Sequence, residues 1–209
     1  MPNFTINDNL NLRLDPESEK KPKREQISKQ MVLDMGLHFL HKIGTEQICR
    51  VCIDAGGSCC GSCRHLADGI GCQLRNTSCT AWLCGFLKYV LFEIDLLQNW
   101  NDFWKQIPGQ DYREDFTPDK LLIRNKLAAP NFRMLGQALA ADLQELEQSQ
   151  ISVGYIITLR EKIDKNMDRI AYYKHDPQKR AATICNIQVL SAPFHRFHKA
   201  SAEYREQHS

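Results

Sequence analysis

Between positions 49 and 84 the chain reads CRVCIDAGGSCCGSCRHLADGIGCQLRNTSCTAWLC and carries eight of its nine cysteines: Cys49, Cys52, Cys59, Cys60, Cys63, Cys72, Cys79 and Cys84. Only Cys185 lies elsewhere. Two of the gaps, Cys49 to Cys52 and Cys60 to Cys63, are C-x2-C, a spacing that lets two thiolates turn toward one ion. Gly56, Gly57, Gly61, Gly69 and Gly71 lie among them, allowing the backbone to fold tightly and bring amides close to sulfur. Three chemistries compete for such a segment: a disulfide framework, a redox dithiol, and a metal or iron–sulfur site.

The rest of the chain discriminates among them. The N-terminal stretch MPNFTINDNLNLRLDPESEKKPKREQ has no apolar core of the kind a secretory signal needs. The expected setting is therefore a reducing, cytoplasmic one, in which an odd number of cysteines does not form a disulfide framework. A thioredoxin-like dithiol calls for a strand before its C-x2-C pair, and no strand pattern precedes Cys49. A nucleophilic cysteine needs a base, and His65 is the one histidine of the segment. Metal ligation is left as the leading reading, with all eight cysteines of the segment as candidate ligands. Four-thiolate zinc and cysteine-ligated iron–sulfur clusters both suit the donor set, and Arg50, Arg64 and Arg75 could offset the charge of a polythiolate site. His38, His41, His195 and His198 are read as ordinary histidines, and Cys185 as a small buried hydrophobe.

Hydrophobic periodicity supplies the frame. A polar arm is expected over residues 1–24, and a helix from Glu25 to Ile43, with Ile27, Met31, Met35 and Phe39 on one face and Gly44 as its stop. The cysteine segment is expected to be irregular. Thr80 then caps a long helix running to Lys105, with Cys84 in its first turn and Trp82, Tyr89, Trp100, Phe103 and Trp104 adding aromatic bulk. A solvated loop holding Asp111, Glu114 and Asp115 follows, then a short helix from Asp119 to Leu127. Three further helices are expected: one opened by Pro130, one carrying Ile156, Leu159, Ile163, Met167 and Ile170, and one over Lys179 to Leu190 after the Asp176-Pro177 break. No run alternates with period two for more than a few residues. The expected fold is mostly α, a helical bundle with an irregular cysteine-rich metal-binding insert, forming one domain over residues 25–209.

The order Cys59-Cys60-x2-Cys63-x2-Leu66, Gly71-Cys72-x2-Arg75-Asn76-x2-Cys79 and then Cys84 resembles the zinc- or iron-chelating cysteine-cluster family of bacteria often called YkgJ-like. The resemblance spans the cysteine segment alone. Asn76 stands where the family pattern has proline, Thr80 where an arginine often follows the cysteine, and the Cys52–Cys59 gap is longer. The resemblance implies chelation of zinc or of an iron–sulfur cluster rather than a particular reaction. Some flagellin lysine methylases carry a similar cluster, so a protein- or peptide-modifying enzyme, methylase-like or oxidative, is the alternative. A partially matching pattern, the binuclear zinc cluster of fungal activators, places basic residues between its early cysteines. Here that interval is IDAGGS. With a net charge of +2, nucleic acid is not an expected partner. A protein or peptide partner is compatible with the reading. The most apolar run, Ala81 to Leu97, contains Lys88, Glu93 and Asp95, so no membrane span is expected.

Overall fold

The computed structural model describes residues 24–59, 63–67, 71–111, 114–128, 131–149 and 154–208. The N-terminal arm therefore lies outside the described residues but for Arg24. Helices dominate, as the periodicity implies, and two short strand pairs join them.

Strand β1, Glu25–Ser28, pairs antiparallel with β4, Lys120–Ile123, from Glu25 opposite Ile123 to Ser28 opposite Lys120. Both segments were expected to be helical. Instead Ile27, Leu121 and Ile123 alternate into the core, and runs of only four residues are too short for their period to be recognised from sequence. Helix α1, Lys29–Lys42, thus begins later than expected, at Ser28, whose side chain accepts from the Met31 amide at 3.1 Å. Its buried stripe is Val32, Leu33, Gly36, Phe39 and Leu40, whereas Met31 is exposed.

Gly44, at φ +73°, turns the chain into α2, Thr45–Asp54. This helix crosses α6, Arg133–Ser149, where Gly136 meets the backbone of Ile43 and Gly44 so closely that a Cβ would overlap it. Strands β2, Leu66–Ala67, and β3, Gly71–Cys72, pair antiparallel. The expected long helix after the cysteines is three: α3, Thr77–Ala81, α4, Gly85–Glu93, and α5, Leu97–Lys105. Asp95, at φ +57°, makes the second break, a conformation that aspartate tolerates better than most residues. The aromatic run is mainly core: Tyr89, Trp100, Phe103 and Trp104 are buried, and Trp82 is exposed.

Helix α7, Tyr155–Tyr172, packs between α4 and α8, Pro177–Ser191. Asp176 caps α8 by accepting from the Lys179 amide at 3.1 Å, with Pro177 at the first helical position. Cys185 is exposed on this helix rather than buried. Helix α9, His195–His208, packs on α6. The Asp142 carboxylate of α6, 2% exposed, accepts from the amides of Arg196 (3.2 Å) and Phe197 (2.9 Å) and from the Arg196 guanidinium (2.9 Å). It thereby satisfies the otherwise orphaned donors of the α9 N-terminus. No helix among the described residues is long and apolar enough to cross a membrane.

Candidate metal centre

The front of the cysteine segment is helical, contrary to the irregular loop expected of it. Cys49 and Cys52 occupy consecutive turns of α2, three residues apart and hence on neighbouring positions of one face. After Ala55 the chain reverses through Gly56, at φ +81°, and the Gly57 amide returns to the Cys52 carbonyl at 2.8 Å. A Cβ on Gly57 would stand 2.6 Å from Cys52 Sγ, so glycine is needed for the backbone to lie against that sulfur. The return brings the Cys59 side chain to Cys84, whose thiol donates to it.

Cys84 is not within a long helix but is the N-cap of α4. Gly85, next to it, lies against the α7 backbone at Arg160 and Asp164 with no room for a Cβ. This close crossing sets Cys84 beside α7, from which Arg160 reaches back and donates through Nη1 to Cys52 Sγ at 3.2 Å. The Arg160 side chain is 12% exposed. Burial alone would lower its affinity for a proton, but the charges of Cys52, Cys59 and Cys84 more than compensate, and its pKa rises.

The thiols respond in opposite directions. The hydrogen bond from Cys84 lowers Cys59 against its partial burial, aided by the charges of Arg160 and Arg75, and brings it to about 7. Cys49 is pushed up to about 11 by burial and by the neighbouring Cys59 and Cys52. Cys84, which donates to Cys59 and is buried, titrates well above the usual thiol range.

The remaining cysteines form a second group. Cys79, in α3, is raised by burial and by Cys63 and Cys72. Its amide is capped by Asn76 Oδ1 at 2.8 Å. Cys72 is exposed and its Sγ donates to the Leu74 carbonyl at 3.3 Å. Arg75 stands between the groups, its charge lowering Cys49, Cys59 and Cys79 together. Cys60 lies outside the described residues. Among the described residues, no three Cys, His, Asp or Glu side chains stand in a geometry that could already hold one metal ion. The thiols are grouped without being closed on a common point.

The histidines engage elsewhere. His41 meets Arg133 at 2.8 Å, His65 accepts from Arg64 Nε at 3.2 Å, and His198 pairs with the Tyr89 hydroxyl at 3.0 Å. His38 and His195 are exposed. Of the arginines singled out from sequence, Arg75 faces both thiol groups, Arg64 pairs with Glu114 at 3.7 Å, and Arg50 is exposed.

Sequence reasoning missed Arg160. Its signal was positional: it is four residues after Ile156 and next to Leu159, a cation within the apolar stripe of α7. It also missed the role of Asp115, read as part of a solvated loop. That carboxylate accepts from the Thr77 amide (3.0 Å), the Thr77 hydroxyl (2.9 Å) and the Thr117 amide (3.0 Å), and pairs with Lys29 at 3.0 Å. It fastens α3, and with it Cys79, to α1 and to the approach to β4. Beside the second thiol group lies a cleft of about 450 Å³ whose lining includes Lys29, Leu33, Leu74, Arg75, Asp115 and Asp119.

No family model, curated protein or solved structure matches the chain.

Proposed function

We propose that this chain is a metal-binding protein that holds zinc or an iron–sulfur cluster through its cysteine segment. The observation that carries the reading is the gathering of Cys49, Cys52, Cys59 and Cys84 near the largely buried Arg160. They come from one helix face, one returning loop and one helix N-cap. Four sulfur donors, an amide-rich helix end and a cation hydrogen-bonded to sulfur fit either a tetrahedral zinc site or a cysteine-ligated cluster. The fit extends to Gly57, whose missing side chain leaves the backbone against Cys52 Sγ. Cys63, Cys72 and Cys79 supply donors for a second site, with Cys60 as the remaining cysteine of the segment. The YkgJ-like order of the cysteines points the same way. Metal binding then requires the thiols to close onto the ion, so holding the metal and ordering the segment are one event.

A protein- or peptide-modifying enzyme built on the same segment is the second reading, favoured by the cleft beside the second thiol group. The test of the metal reading is anaerobic purification followed by measurement of iron, sulfide and zinc per chain. Replacement of Cys52, Cys84 or Cys72 by alanine should lower bound metal, whereas Cys185→Ala leaves it unchanged. A protein that purifies without metal and takes up neither zinc nor a reconstituted cluster, or one losing metal equally with Cys185→Ala, overturns the reading.

A further inference from the structure

The walls of the cleft beside the second thiol group carry both signs of charge, and most of those charges are already matched. Lys29 pairs with Asp115 at 3.0 Å and Arg64 with Glu114 at 3.7 Å. Two opposite charges remain among its lining residues, Arg75 and Asp119. Neither has an ion-pair partner among the described residues, and both are exposed. Their positions are held by other contacts. The backbone beside Arg75 is fixed where Asn76 caps α3, and the Asp119 carbonyl accepts from the Lys29 amide at 2.9 Å. The same lining presents apolar surface from Leu33 and Leu74, and Leu74 is 52% exposed.

We propose that this cleft binds a zwitterionic ligand of the amino-acid type, its carboxylate on Arg75, its ammonium on Asp119 and an apolar body against Leu33 and Leu74. A guanidinium matches a carboxylate with two parallel hydrogen bonds. A wall holding an unmatched carboxylate would repel a simple anion, and the unmatched arginine would repel a simple cation. A ligand carrying both charges satisfies both residues. A volume of about 450 Å³ suits a single amino acid or a short peptide, within the usual range of small-molecule sites. Arg75 also lies near enough to the thiols to lower Cys49, Cys59 and Cys79, so metal content and ligand binding are measured side by side and each reading fails on its own readout.

The test is calorimetric titration of the full chain, as purified, with leucine, the dipeptide leucyl-leucine, leucinamide, which lacks the carboxylate, and N-acetyl-leucine, which lacks the ammonium. Metal content is measured on the same preparation, so loss of metal and loss of ligand binding are read independently. Leucine or the dipeptide should bind, the tighter of the two reporting the spacing of the charges, and blocking either end should weaken binding at least about tenfold. In Arg75→Gln the preference for leucine over leucinamide should collapse, and in Asp119→Asn the preference for leucine over N-acetyl-leucine. Both side chains are exposed, so circular dichroism and Tm should be unchanged. Equal binding of a blocked ligand, no binding of either zwitterion, or preferences that survive the two substitutions would overturn the proposal.

Discussion

Asp115 is the residue on which pH acts most directly. Burial would raise its carboxyl, but donation from Thr77, Lys29 and Thr117 outweighs burial and holds it well below the usual carboxylate range. Since the folded group titrates below an unfolded aspartate, at about 3.9, its stabilisation is complete above that pH and is lost as pH falls through the folded value. Asp115→Asn should therefore cost about 2 kcal/mol at neutral pH. The gap in Tm between the two proteins should be constant at neutral pH and narrow as pH falls below about 4, which thermal unfolding across pH 7 to pH 2 would check. Cys59 gives a kinetic counterpart. With its thiol at about 7, it should be the first cysteine of its group alkylated by iodoacetamide at pH 7 in metal-free protein. Cys49, at about 11, should lag. Arg160→Ala should slow Cys59 by about threefold, since part of the lost thiolate fraction is offset by greater intrinsic nucleophilicity. Peptide mapping by mass spectrometry reads both. The thiols themselves were legible from spacing. Arg160 and Asp115 were not, because each takes its role from a partner far along the chain, Cys52 and Thr77 respectively, and no local pattern encodes such a contact.

The elements were legible in proportion to their length. Helices α6 and α7 each repeat an apolar stripe over several turns and appear where periodicity places them, and α8 follows the Asp176-Pro177 break that announces it. The paired strands β1 and β4 are four residues long, and their pairing is a tertiary fact that the local sequence does not carry. The split of the expected Thr80–Lys105 helix likewise coincides with packing, α4 starting afresh at Cys84 where Gly85 meets the α7 backbone. Gly85→Ala should force these backbones apart, costing about 1–3 kcal/mol and lowering metal content, because Cys84 moves with the helix start. Urea unfolding and metal analysis of the same protein test both halves. Asp142→Ala should cost about 3 kcal/mol while leaving metal content intact, with the added amide exchange concentrated in the first turn of α9.

Across the whole molecule, apolar packing and thiol chemistry divide the labour. The core runs from α1 through α9 and includes side chains as large as Trp100, Phe132 and Phe194, all at most 1% exposed. A chain with such a core does not depend on metal for its fold. In the proposed metal-bound protein, chelation should therefore deprotect amides within residues 49–84 while α6 to α9 keep their protection, which hydrogen exchange followed by mass spectrometry would show. Global unfolding on chelation would assign the metal a wider role.

The contact between Arg160 and Cys52 joins residues 108 positions apart. A ribosome adding about 5–20 residues per second exposes the cysteines several seconds before it delivers the arginine that faces them. During synthesis, then, the thiols meet the surrounding medium without their cation and without the α7 backbone against Gly85. Whatever oxidants or stray ions reach the nascent chain in that interval compete for these sulfurs first.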